Sequence, residues 1–153
     1  MISRSVAHST FVIERAFSAP VARVFAAWSD ADKKRRWFSC HDDWAALEYR
    51  LDFRIDGTEI NSVATTAGIV HAFKARFMDI VANERIVYAY DMSVGEARIS
   101  ASLVTVVFEH QATGTKLTFT EQVVFFDGHG DADERREGTA VGLDNLVSEL
   151  AGG

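Results

Sequence analysis

From Ala46 onward the chain alternates, with Leu47, Tyr49, Leu51, Phe53 and Ile55 on one side and Glu48, Arg50, Asp52 and Arg54 on the other. A period of two gives one apolar and one solvated face, which is the pattern of a half-buried β-strand. A lone strand leaves its backbone groups unpaired, so partners must follow, and the downstream sequence supplies them. Asp56-Gly57 is a two-residue hairpin signal, and strands are expected over 59–65, past Gly68 over 69–80, then over 85–92, 100–110 and 115–126. Ala112-Thr113-Gly114 turns the last pair. Such short connections make the sheet antiparallel. Upstream, residues 11–17 carry Val12 and Ile13 and read as a first strand, for seven in all.

The helices are punctuated differently. Ser18-Ala19-Pro20 stops the first strand, and Pro20 suits a first helical turn, where its missing N–H is not needed. Val21, Val24, Phe25 and Trp28 then fall at i, i+3, i+4 and i+7, forming one apolar face. Ser29-Asp30 marks the junction to a short second helix over 33–38. The basic cluster Lys33-Lys34-Arg35-Arg36 within it is either an anion contact or, more economically, a solvated helix face or helix end. Asp127-Gly128-His129-Gly130 ends the sheet, Asp131 or Asp133 can cap a final helix, and that helix runs to Leu150. Leu143, Leu146 and Leu150 form its apolar stripe, beside which Gly138, Thr139 and Gly142 are small for a helix interior. Glycine costs about 1 kcal/mol relative to alanine there. Either the sheet backbone presses close or space is left for a ligand.

One strand, two short helices, six strands and a long helix make an α+β layer fold. At 153 residues and 48% hydrophobic content the chain fits a single domain spanning residues 1–153 with a sizeable core. Its one cysteine, Cys40, has no internal disulfide partner, and no signal-peptide pattern or membrane-length apolar run is seen. A cytoplasmic protein without membrane insertion is expected. The net charge of -6 argues against nucleic acid as a partner.

The residues resemble the START-related helix-grip superfamily (SRPBCC), and within it the bacterial proteins similar to the C-terminal domain of the heat-shock chaperone ATPase activator. The resemblance covers most of the chain. It rests on Glu14-Arg15-Ala16-Phe17 with Ala19-Pro20, on Val24-Phe25-Ala26-Ala27-Trp28, on Arg36-Trp37-Phe38 and on Asp52-Phe53-Arg54-Ile55-Asp56-Gly57. It continues through Glu84-Arg85-Ile86-Val87-Tyr88, Gly114-Thr115-Lys116-Leu117-Thr118-Phe119-Thr120-Glu121 and Gly142-Leu143-Asp144-Asn145-Leu146. The resemblance implies a helix-grip fold, in which a curved antiparallel sheet wraps around the long C-terminal helix and encloses a deep pocket. Across the superfamily that pocket takes lipids, sterols, polyketides and other apolar molecules; the chaperone-activator branch binds a protein, and polyketide cyclases do chemistry in the cavity. Fold alone does not choose among these. Asp56 stands where the family often has the first of two glycines. Thr139 sits near a position where many relatives have tryptophan, which would enlarge the cavity.

Alternation nominates the inward side chains, though a one-residue shift of register would invert every assignment. Ile69, His71, Phe73, Ala75 and Phe77 share a face, as do Ile86, Tyr88 and Tyr90. His71 is a candidate base, ligand anchor or satisfied core histidine. Glu121 is in phase with Leu117, Phe119, Val123 and Phe125, so it should enter an apolar interior, where a carboxylate must be paired or neutralised; His71 or a tyrosine is the expected partner. If Glu121 instead lies at a bulge or strand end, it reaches water.

The expected site is therefore Trp37, Phe38, Phe53, His71, Phe73, Tyr88, Tyr90, Glu121, Thr139, Gly142, Leu143 and Leu146, binding a small hydrophobic or aromatic molecule. An enzyme of the cyclase or hydrolase type using Glu121 and His71, and a chaperone-activator-like protein partner, are the alternatives. No cofactor is expected, because the phosphate-loop, dinucleotide and nucleophile-elbow motifs are missing. No metal is expected either: His8, His41, His71, His110 and His129 are scattered, Cys40-His41 has no paired motif, and the acidic run from Asp127 to Asp133 lacks the calcium-loop glycine and glutamate.

Overall fold

The computed structural model describes residues 3–38 and 43–151. The chain runs β1 (Val6–Phe17), α1 (Val21–Ser29), α2 (Ala31–Phe38), β2 (Ala45–Leu51), β3 (Thr58–Ala64), β4 (Val70–Val81), β5 (Arg85–Val94), β6 (Ala97–Gln111), β7 (Gly114–Phe126) and α3 (Ala132–Ala151). All seven strands form one curved antiparallel sheet in the order β1-β7-β6-β5-β4-β3-β2, with α3 lying against β1 and α2. This is the helix-grip architecture.

Local chemistry places the helices. Pro20 is the residue before α1, extended at φ -69 and ψ 158, and its carbonyl accepts from the Arg23 and Val24 amides. Asp30 Oδ1 accepts from the Asp32 and Lys33 amides and so caps α2. Asp131 does the same for α3 through the Asp133 amide at 2.7 Å. Val24, Phe25 and Trp28 enter the core as their spacing demands.

The sheet follows the expected phase most closely in its centre. Leu117, Phe119, Glu121, Val123 and Phe125 of β7 are buried, as are Ile86, Tyr88 and Tyr90 of β5. Departures cluster at the β2 edge. The strand ends at Leu51, and a bulge between Ala46 and Glu48 turns Leu47 outward, leaving it 54% exposed. Phe53 and Ile55 belong to the connection that follows, and Ile55 is exposed. That connection is a six-residue loop over 52–57 rather than a two-residue turn, held by Asp56 N to Phe77 O and Phe77 N to Gly57 O. Asp56 adopts φ 69, and Gly57 is required because a Cβ there would stand 2.1 Å from Asp52 O. Ile69 precedes β4 and is exposed, contrary to its expected inward face.

The basic cluster on α2 also departs from expectation. Lys34 is 1% exposed, and its Nζ lies 2.6 Å from Oε1 of Glu59, itself 0% exposed. Tyr49 donates to the other Glu59 oxygen at 2.8 Å. The ammonium lies over the rings of Phe38, Trp28 and Tyr88 at 4.4, 5.2 and 5.7 Å. Lys33, Arg35 and Arg36 do face solvent. Lys34 falls three residues before Trp37, on the same helical face, and is carried inward with it.

Candidate functional site

The inner face of α3 changes character along its length. Leu143, Leu146 and Leu150 pack into the hydrophobic core, whereas Gly138, Thr139 and Gly142 leave the stretch just before and beside Leu143 with little bulk. The aromatic rings of the sheet stand opposite, and the space between them is a cavity of about 520 Å³. A Cβ at Gly138 would meet no atom within 4 Å. Space, rather than close backbone contact, accompanies the small residue there.

Trp37, Phe38, His71, Phe73, Tyr88, Tyr90, Glu121, Thr139, Gly142 and Leu143 all line this cavity. Phe53 and Leu146 do not. Phe53 packs edge-on against Phe25 and Phe77, and Leu146, at 0% exposed, lies in the hydrophobic core. Alternation and helical period assign a face but not a depth along it, which is why these two were misplaced. Sequence reasoning missed Trp28, Met92, Ile99, Phe119, Phe125 and Arg135 as lining residues. Phe119 and Phe125 carried a usable signal, since they share the phase of Glu121 on β7.

The walls are aromatic, with Phe73 against Tyr90 at 4.6 Å and Phe38 against Phe73 at 5.2 Å between ring centroids. A buried carboxylate stands among them. Glu121 is 1% exposed, and its Oε2 accepts from Tyr90 Oη at 2.6 Å, Ser102 Oγ at 2.7 Å and Arg135 Nη1 at 3.3 Å. Arg135 also donates to Tyr90 Oη at 2.9 Å and through Nη2 to Ser100 Oγ at 2.8 Å. A tyrosine is thus the partner of Glu121, joined by an arginine and a serine from other elements. This arrangement satisfies the rule that a buried charge be paired and hydrogen-bonded. Burial and the neighbouring Glu121 charge push the Tyr90 hydroxyl well above its ordinary range, which keeps it protonated as a donor. Burial raises the Tyr88 hydroxyl likewise.

All three of those bonds fall on Oε2. Oε1 has no hydrogen-bond partner among the described residues, and Glu121 lines the cavity. His71 lines the same cavity with its ring 4.7 Å from that of Trp44, and it is not among the partners of Glu121. The exposed rim is formed by His129, Gly130, Asp131, Glu134 and Gly138, where two carboxylates face the opening. Among the described residues no group of three or more His, Cys, Asp and Glu side chains could hold a metal ion, and no helix is long and apolar enough to cross a membrane. Cys40 and His41 lie outside the described residues.

The family described as activator of Hsp90 ATPase homolog 1-like protein matches this chain over residues 18–152. The chain belongs to that family. Among solved structures it is similar to a protein from Rhizobium leguminosarum at 57% identity, covering 99% of each chain with a TM-score of 0.94. The Mll3558 protein from Rhizobium loti is 42% identical, with 95% of this chain and 99% of that chain covered and a TM-score of 0.89. An AHSA1-like protein from Aeromonas hydrophila shares the fold at 22% identity and a TM-score of 0.72, covering 94% of this chain and 93% of that one. No match was found among curated proteins. The AHSA1-like chain therefore has relatives across nearly its whole length, within the SRPBCC fold.

Proposed function

We propose that this protein binds a small, largely apolar or aromatic molecule inside the fold, between the sheet and the first half of α3. The observation that carries the reading is the aromatic-walled cavity of about 520 Å³, a volume within the range of small-molecule sites. The rings around it offer dispersion contacts to an apolar occupant. The AHSA1-like membership supports the reading, because the superfamily uses this space for hydrophobic ligands. Acid–base chemistry by Glu121 and His71 has less support, since the bonds of Glu121 go to Tyr90, Ser102 and Arg135.

The test is fluorescence titration with N-phenyl-1-naphthylamine, a neutral probe that brightens in apolar surroundings, against the protein and Thr139→Trp. Thr139 lines the cavity, so an indole there should fill much of it. Saturable binding by the parent, weakened at least about tenfold in a Thr139→Trp variant of unchanged circular dichroism, is expected. Equal binding by both, or none by the parent, would defeat the proposal.

A further inference from the structure

The polar wall of the cavity says more about the ligand than its volume does. The three donors from Tyr90, Ser102 and Arg135 reach Glu121 from three different elements and converge on a single oxygen, Oε2. The second oxygen, Oε1, belongs to a side chain 1% exposed, has no partner among the described residues, and belongs to a residue lining a mainly apolar space. An ionised carboxylate only accepts hydrogen bonds, and Oε1, which is not sealed off from the cavity, is open to a donor placed there. Resting on the cavity-binding reading above, we propose that the ligand of this site is an apolar molecule bearing a hydroxyl or amine donor, received by Glu121 Oε1, and that carboxylates are rejected.

Charge around the site supports the same selection. Arg135 is the cation nearest Glu121, but it is engaged with Glu121, Tyr90 and Ser100, and its side chain is 13% exposed. The opening carries Asp131 and Glu134. The helix N-terminus there would favour an anion, but Asp131 caps it and Asp133 and Glu134 occupy its first turn. A carboxylate entering past this rim toward Oε1 would meet the like charges of Asp131, Glu134 and Glu121 itself, while Arg135 is already engaged.

A matched set of probes tests this: 2-naphthylmethanol, its methyl ether and 2-naphthoate, titrated calorimetrically into the full chain and into Glu121→Gln. The alcohol should bind at least about tenfold more tightly than the ether, as a hydrogen bond to a charged acceptor implies, and 2-naphthoate should be weakest. In Glu121→Gln the three converging donors require the amide oxygen to take the place of Oε2, so the NH₂ group faces the cavity. The preference should then level or reverse toward the ether. A variant that is merely loosened would weaken both probes alike. Equal affinity of the parent for alcohol and ether, or a preference for 2-naphthoate, overturns the proposal while leaving cavity binding intact, and this comparison holds even if the variant does not fold. Failure of all three probes to bind the parent would sink both readings.

Discussion

Replacing Lys34 by methionine removes one half of an ion pair sealed under the aromatic wall. Nζ and Oε1 of Glu59 are 2.6 Å apart, and the side chains are 1% and 0% exposed. At an effective dielectric constant of about 20 that separation corresponds to about 6 kcal/mol of Coulombic attraction, most of it offset by taking both charges out of water. Removing only the cation leaves the desolvation cost of Glu59 in place, with the Tyr49 hydroxyl as its remaining partner. The cation–ring contacts at Phe38, Trp28 and Tyr88 are lost with the ammonium. The expected loss is about 3–5 kcal/mol, the usual cost of orphaning a buried charge. For a domain of this size that lowers Tm by about 6–20 °C. Urea and thermal unfolding followed by circular dichroism would measure it. The companion variant Lys34→Met with Glu59→Leu removes both charges and should recover most of the loss, because an apolar pair in a closed site is near neutral in stability. A single variant costing less than about 1 kcal/mol, or a double variant no more stable than the single, would refute the claim that the pair is desolvated and coupled.

Two further outcomes follow from the structure. Burial raises the hydroxyls of Tyr49, Tyr88 and Tyr90, all three tyrosines of the chain, above their ordinary range. In the unfolded chain they ionise near pH 10, so above that pH the native state holds more protons than the unfolded one. The stability they contribute is complete below about pH 10 and is lost as the pH rises toward the folded values; tyrosinate absorbance should appear only with unfolding, and a tyrosine titrating near pH 10 in the folded protein would contradict this. Gly114 adopts φ 140 with an ideal Cβ only 1.9 Å from Phe17 O, so Gly114→Ala should cost at least about 2 kcal/mol in urea unfolding, and a neutral result would be inconsistent with that close approach.

Much of this architecture was legible in the sequence because strand and helix periods are local properties. The alternation from Leu117 to Phe125 put Glu121 inside, and the spacing of Val24, Phe25 and Trp28 assigned the face of α1. The apolar stripe on α3 likewise marked Leu143, Leu146 and Leu150 before any neighbour was known. Periodicity names the side of an element a residue occupies, without saying which residue meets it there. Arg135 could not be matched to Glu121, nor Lys34 to Glu59, without the placement of α3 against the sheet and of α2 over β3. Phe53 and Leu146 had the right apolar character but proved to be core, because depth along a face is set by how closely another layer approaches. The sequence by itself put Glu121 in phase with apolar neighbours, leaving open whether it reached water, and marked Gly138, Thr139 and Gly142 as small residues beside the apolar stripe of α3. Tertiary structure decided that three donors would occupy one oxygen of that carboxylate and that the small residues would border open space, because convergence and volume depend on distances between elements far apart in the chain.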